Sequence, residues 1–595
     1  MKKLVSLLLA LVMVVGMLAA CDTDKPVETK HNETQGNNPA QTQPKETEPA
    51  VDKTQPLELN IMVSRHTEAT NDAADLWFFK YLDWWLKEQG WTNVTIKPIQ
   101  MSEDTQINLM LATDSLPDLI MGPDLSASNA VVYGMGEGMI MDWAPYMNEE
   151  DMPNLMNRMR TDIMNAITAP NGAVYTVPNI SSADVSYKEP SSDFGMSDRM
   201  FVHQAWLDKT GKSVPTNLEE LIDMLRAFKE VKLESGEEVV PLSNANKFLE
   251  KYIWTGLGYY GSSGMFTTGE QIAIKNEQLW LPAYTEDFRY YVTLMNQLYT
   301  EGLISPDFFT MDTTTARGIM TAGRCGVLCD YTLSKVPEGT QTEWISIPVF
   351  HLNGAETVAM TLTPTFKANT MWASSKFECP ELIVEIVDYL YSTEGYVMYQ
   401  YGPMKGQEDP VGIIKEGWWL DENGKVTNNR VVNGDYESVQ VWSRCELRGN
   451  DYIGGAVPSA ELREYAGAEA AEVIEIEYTD IITGEKFTAY NRGNYNDETT
   501  LDGAWRAANI KTSANNCTKI CLPNAYLSEE DSLAVAELLT ILKDHIANEA
   551  AKFITGQRPL SEVDDYFAEM KALGAEDYLA YYQEAYASYL ESCFG

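Results

Sequence analysis

Apolar positions recur between residues 218 and 228 at three- and four-residue steps: Leu218, Leu221, Ile222, Leu225 and Phe228. That spacing lines them on one stripe of an α-helix. Thr216 or Asn217 is placed to cap the first turn, where Glu219 and Glu220 also suit the helix dipole. The apolar run Phe201–Leu207 before it reads as a strand followed by a polar turn through Gly211. Near the start, Leu57–Val63 alternates as a strand. Asp75–Gln89 is an aromatic amphipathic helix stopped at Gly90, with Trp77, Trp84 and Trp85 on its core stripe. Val94–Ile96 reads as a short strand, Thr105–Thr113 as a helix, and Leu116–Gly122 as a third strand. Strand, helix, strand, helix, strand in that order predicts a parallel α/β sheet. Further on, Asn171-Gly172 marks a turn before a strand ending at Pro178. A helix over Phe288–Thr300 and a strand over Trp344–Val349 with Trp344 packed inside follow.

The first residues break this pattern. Lys2 and Lys3 precede an apolar stretch, Leu4–Leu18, that is short for a membrane span and has the shape of a signal peptide. Leu18-Ala19-Ala20-Cys21 has the form of a lipobox, which predicts a signal peptide over residues 1–20 and lipid (palmitate) attachment at Cys21. Residues 22–56 are rich in Thr, Gln, Asn, Pro, Glu and Lys and poor in large apolar side chains. Such a stretch buries too little to offset its ordering entropy and reads as a disordered linker. No second apolar run of eighteen residues follows, so the expectation is a protein anchored outside the membrane, not one spanning it.

The 595 residues, 44% of them hydrophobic, allow two to four domains. A formal charge of −43 argues against nucleic-acid binding, which needs Lys and Arg to replace counterions, and against docking on anionic lipid. With Cys21 set aside, the odd number of remaining cysteines leaves at least one thiol free or paired outside the chain. Cys325/Cys329 and Cys517/Cys521 have a spacing that raises zinc, but no His cluster accompanies them. Disulfides stay open, and unpaired core thiols carry most weight. No P-loop, Rossmann fingerprint, HExxH or GxSxG element stands out. Two placed carboxylates would suffice for a glycosidase, and with 87 acidic residues the sequence cannot single out a pair.

Several phrases, in this order, resemble the extracellular solute-binding proteins (family 1) that feed ABC sugar importers, closest to the large lipoprotein branch of Gram-positive bacteria. They are Leu109–Thr113 with Leu116–Ile120, Tyr146 with Met152-Pro153-Asn154, Asn171–Pro178, the strand and Trp206–Lys209 before Pro215-Thr216-Asn217, Leu298–Phe309, Pro380–Gly395 with Tyr401-Gly402, and Phe553–Gly556. Together they span most of residues 57–590, and 418–495 matches least. The resemblance implies an α/β, periplasmic-binding-protein-like type II fold: two α/β lobes with a hinge and an interdomain ligand cleft. Lobe 1 would hold 57–182 and about 365–410, and lobe 2 would hold 183–364 and about 411–595. It implies a lipid-anchored protein on the extracellular face of the cell membrane. That protein would capture an oligosaccharide and deliver it to ABC transporter permease subunits, as a monomer, without cofactor, nucleic acid or catalysis. A peptide- or signal-binding lipoprotein and a surface glycan-active enzyme are the alternatives.

Sugar rings lie on Trp or Tyr faces, and their hydroxyls pair with Asp, Glu, Asn and Arg. By position in the resemblance, the substrate-binding candidates are Arg65, His66, Asp124, Trp254, Tyr259, Tyr260, Tyr331 and Trp372. Relatives often carry an Asp/Asn-rich calcium loop after the 218–228 helix. Here Val231 and Leu233 occupy part of Glu230–Glu238, so no metal is expected.

Overall fold

In the computed structural model, residues 51–594 are described apart from 67–68, 70, 102–104, 181–198, 245–247, 260–270, 277, 331–342, 348, 356–365, 423–425, 437, 452, 458, 470–472, 480–485 and 493–525. Cys21 and the linker lie outside the described residues.

The first sheet has the order β2-β1-β3-β11-β4. Its strands are β1 (Leu57–Val63), β2 (Val94–Gln100), β3 (Leu119–Met121), β4 (Val177–Ile180) and β11 (Phe366–Ala373). β1 pairs in parallel with β2 and β3, with Ile61 opposite Leu119, and β11 runs antiparallel to β3 and β4. Both faces are covered, as parallel strands require. Leu59, Ile61 and Val63 pack with Trp77 and Trp85 of the Trp77–Glu88 helix. Met62 and Ile120 pack on the other side with Ile107, Leu111 and Trp372. The aromatic helix ends where expected, at Gly90, whose φ of +92° suits glycine.

The second sheet has the order β10-β5-β9-β6, from β5 (Arg199–His203), β6 (Leu242–Asn244), β9 (Val327–Asp330) and β10 (Trp344–Ile347). β6 and β9 are parallel, while β5 is antiparallel to β9 and β10. The helix against it runs Leu218–Lys229. Asn217 is its N-cap, accepting from Glu220 N–H at 3.0 Å, while Glu220 reaches back to Thr216 N–H at 2.8 Å. Phe228 and Trp206 close over Gly326, where a Cβ would collide with the Phe228 ring. The Phe201–Leu207 run divides, against the expectation of a strand followed by a turn. After His203 it becomes a helix, Gln204–Thr210, because the His203 ring accepts from Ala205 N–H at 3.1 Å and Gly211 closes the end with φ +68°.

Among the described residues, three two-stranded ribbons complete the strands: β7 (Ala273–Lys275) with β8 (Gln278–Trp280), β12 (Trp419–Leu420) with β13 (Val426–Thr427), and β14 (Val473–Thr479) with β15 (Lys486–Arg492). The stretch after about residue 410 differs from the expectation that it stands with the second sheet. Asp409 accepts from Trp77 Nε1 at 3.1 Å, His66 N–H donates to Gly449 O at 3.0 Å, and Ile180 exchanges backbone bonds with Gly454 and Ala456 at 2.9 and 2.7 Å. Those bonds fasten residues 409–456 to the first sheet. The long helix Glu529–Thr555 packs on the Glu286–Thr300 helix and also on residues 127–136, so it touches both halves. Among the described residues, no helix is long and apolar enough to cross a membrane.

Candidate functional site

In open α/β sheets, ligands bind outside the carboxyl ends of the parallel strands. In the first sheet those ends are Ser64–His66 after β1 and Gly122–Asp124 after β3. Ser64 N–H donates to Met121 O at 3.3 Å, and Gly122 N–H to Thr370 O at 2.7 Å, so the two ends share one edge. Arg65 is exposed and its guanidinium donates to Ala69 O at 3.0 and 3.3 Å. His66 is half-buried, with Nε2 3.9 Å from Asp451. Asp124 is exposed and pairs with Lys367 at 2.6 Å. Three of the eight candidates therefore come together on this rim.

A segment that sequence reasoning did not single out completes the rim. Residues 448–451 reach it through the His66–Gly449 bond, and Asp451 also pairs with Arg444 at 2.8 Å. Arg448 is 1% exposed. Its guanidinium donates to Asn450 O at 2.8 Å, Gln400 O at 3.3 Å, Ser443 Oγ at 2.5 Å and Gln440 Oε1 at 3.1 Å. Burial lowers its pKa from the usual arginine value. Burial pushes the Tyr399 phenol up, so it stays protonated and donates to Asn450 Oδ1 at 2.5 Å.

The aromatic candidates fall elsewhere. Trp254 belongs to the Phe248–Gly256 helix and is 3% exposed, stacked on Tyr291 with ring centroids 5.1 Å apart. Tyr259 is buried against Trp254, with Lys275 Nζ 4.7 Å from its ring centroid and its hydroxyl donating to Asp287 at 3.0 Å. Trp372 is fully buried within β11, and its Nε1–H donates to Pro123 O at 3.0 Å. A sugar needs an open ring face, and these three rings are enclosed by protein atoms. In this structure they are core residues, which corrects the expected stacking role. Tyr260 and Tyr331 lie outside the described residues. On the second sheet, the carboxyl ends of β6 and β9 carry Asn244, which caps Leu249 N–H at 2.6 Å, and Asp330, which is held by Arg317 at 2.8 and 3.1 Å.

A separate groove of about 500 Å³ lies between the Leu218–Lys229 and Glu286–Thr300 helices, lined by Ile222, Arg226 and Tyr290 among others. None of the six described candidates lines it. In the loop after the first of these helices, Val231 is buried and Leu233 packs on the core, so two positions that a calcium loop would spend on ligands are spent on packing. Treatment with EDTA is therefore expected to leave the melting temperature unchanged. A fall of several degrees that calcium restores would contradict this. Cys325, Cys329, Cys379 and Cys445 are buried, and burial pushes Cys325 up to about 12.

No family model matches the chain. It is 23% identical over 518 residues to the fructooligosaccharide ABC transporter substrate-binding protein FusA of Streptococcus pneumoniae, covering 84% of this chain and 86% of that protein. It is 25% identical over 239 residues to the polygalacturonan/rhamnogalacturonan-binding protein YtcQ of Bacillus subtilis, covering 40% of this chain and 43% of that one. Among solved structures, FusA in complex with kestose superposes with a TM-score of 0.67 at 20% identity, covering 90% of this chain and 99% of that one. An HMO-binding solute-binding protein from Bifidobacterium longum infantis gives 0.63 at 18%, covering 89% and 98%. The chain is thus a homologue of ABC-transporter substrate-binding proteins, and its fold is their two-lobe α/β fold.

Proposed function

We propose that this chain is a lipid-anchored extracellular substrate-binding protein that captures a neutral oligosaccharide between its lobes and delivers it to the permease subunits of an ABC importer. The observation that carries the reading is the rim at the carboxyl ends of β1 and β3. Arg65 and His66 offer donors there, and Asp124 and Asp451 offer acceptors, from three segments joined by backbone hydrogen bonds. Saccharide hydroxyls both donate and accept, so such a rim suits them. The likeness to FusA, which is named for fructooligosaccharides and solved with kestose, supports the ligand class. The acidity of the chain, −43, disfavours a uronate ligand and favours an uncharged one. The protein is not an enzyme and uses no cofactor in this reading, since its relatives are named as binding proteins. It acts as a monomer. Its first lobe is built from 57–182 and about 365–410 together with the stretch that follows to about 466, and its second from 183–364, with the Glu529–Thr555 helix packed on both. The lobes close on ligand by hinge motion.

Titration calorimetry of the protein with kestose, a neutral human-milk oligosaccharide and an oligogalacturonate tests this. Saturable 1:1 binding of a neutral saccharide, unchanged after long incubation, is the expected result. Silence with all three, or cleavage products, would overturn it. For the anchor, Cys21→Ala is expected to move the protein from the membrane fraction to the medium. A variant that stays with membranes washed in high salt would refute lipid attachment at that residue.

A further inference from the structure

The two ends of the Glu529–Thr555 helix rest on different halves of the molecule. At 27 residues it is roughly 40 Å long. Its C-terminal end is bonded to the second half. Asn296 Nδ2, on the Glu286–Thr300 helix, donates to the Phe553 and Ile554 carbonyls at 2.9 and 3.2 Å, and the Phe288 ring meets Phe553 edge-on with centroids 6.5 Å apart. The Ala575–Phe594 helix packs beside it, and Gln583 there donates to Leu279 O of β8 at 3.1 Å. That second helix also touches Thr161–Ile167 of the first half. The N-terminal end of the long helix leans on the first half. Tyr526, two residues before the Ser528 cap, packs on the core that holds Met62, Ile120 and Trp372. In the first turn Glu529 stands over Gly136, where a Cβ would lie 2.8 Å from its Oε1. The 127–136 segment that receives this turn follows the rim at Gly122–Asp124. It is tied to β11 by Leu125 N–H donating to Asn369 O at 3.1 Å and Asn369 Nδ2 donating to Leu125 O at 3.0 Å.

We infer that the Glu529–Thr555 helix is a strut between the lobes, and that the contact of its first turn with residues 127–136 controls saccharide affinity from outside the rim. This rests on the oligosaccharide reading above and adds a control of that same site. A packed helix moves as one body. Bonded at Phe553 and Ile554, this one travels with the second half, so Glu529 must shift across Gly136 whenever the lobes rotate. The chain flexes between Tyr526 and Ser528 as it does so. Hinge motion is therefore not confined to the segments that cross between the lobes. Free energy gained at the strut contact in one position of the lobes is added to or taken from ligand binding, because ligand shifts the balance only by its own preference between the two positions.

The test joins the two sides of the contact. Gly136→Cys combined with Glu529→Cys places thiols across it, oxidation links them, and peptide mapping identifies the link. Association of kestose and of the neutral human-milk oligosaccharide is then followed before and after reduction with dithiothreitol. The expected result is association slowed at least about tenfold in the linked protein and restored to the wild-type rate by reduction, with melting of the linked form no lower than that of the reduced one. The link slows association whether it holds the lobes open or closed, since a ligand needs both positions to enter and be enclosed. A wild-type rate in the linked protein would overturn the inference. Unmodified protein gives a second measurement, which decides the matter if the double variant fails to fold or to link. Saturating saccharide should change hydrogen exchange at residues 528–535 and leave 548–555 as they were; no change at 528–535 sinks the strut. If wild type binds neither neutral saccharide, the functional reading fails first and this control of affinity falls with it. A wild type that binds, beside a linked protein that binds equally fast, fails the strut alone.

Discussion

Trp254→Ala is expected to destabilise the protein by about 3–5 kcal/mol, the usual cost of emptying a buried aromatic site. The side chain is 3% exposed, stacks on Tyr291 at 5.1 Å and meets Tyr259 edge-on at 5.4 Å. Tyr291 is itself 1% exposed and belongs to the Glu286–Thr300 helix, so the truncation opens a cavity between two helices that cannot collapse freely. The helix carrying Trp254 has little room to shift, because a Cβ at Gly256 would already crowd Phe350 O at 2.6 Å. Urea unfolding should show a lower midpoint with an unchanged slope. The folded fraction should keep wild-type affinity for whichever saccharide it binds. The opposite pattern, with stability kept and binding lost, would put the indole in the ligand site, as position in the sequence had indicated.

That contrast shows what a sequence exposes and what it hides. β1 runs Leu57–Val63 as its alternation indicates, and the Leu218–Lys229 helix follows its apolar stripe and its Asn217 cap. These features are periodic and local, so neighbouring residues carry them. Arg65, His66 and Asp124 stand at one edge of the first sheet because each follows the end of a strand. Which way an aromatic ring faces is settled by distant packing instead. One signal was available: Phe248, Leu249, Tyr252 and Ile253 fill a broad apolar face of one helix and Trp254 widens it further, as in a helix that is mostly buried. The Gly-rich stretch after it drew the reading toward a ligand loop. The 448–451 segment gave no signal at all. It reaches His66 across several hundred residues, through a backbone bond and a glycine that no periodicity announces.

Arg448→Met is expected to cost about 3–5 kcal/mol and, unlike Trp254→Ala, to weaken ligand binding as well. A methionine fills similar volume and removes the cost of burying a charge, which alone would be neutral or favourable. What it cannot replace is the set of donors. The carbonyls of Asn450 and Gln400, and the Gln440 and Ser443 oxygens, would lose their guanidinium partner where water scarcely reaches. Each unmade bond to a buried group costs about 1–3 kcal/mol, and hydrogen bonds to a charged group lie toward the upper end. The loss of several therefore outweighs the gain from removing the charge. Arg448→Lys should rescue only part of it, because a single ammonium cannot hold four acceptors arranged around a planar fork. The guanidinium also fixes the backbone that carries Gly449, Asn450 and Asp451 to the rim, so its removal should loosen that rim while the second sheet stays intact. Hydrogen exchange should then rise at residues 448–451 and 64–66 and remain unchanged in β5 and β9. Uniform loosening across both sheets, or none at the rim, would show that Arg448 serves the core alone.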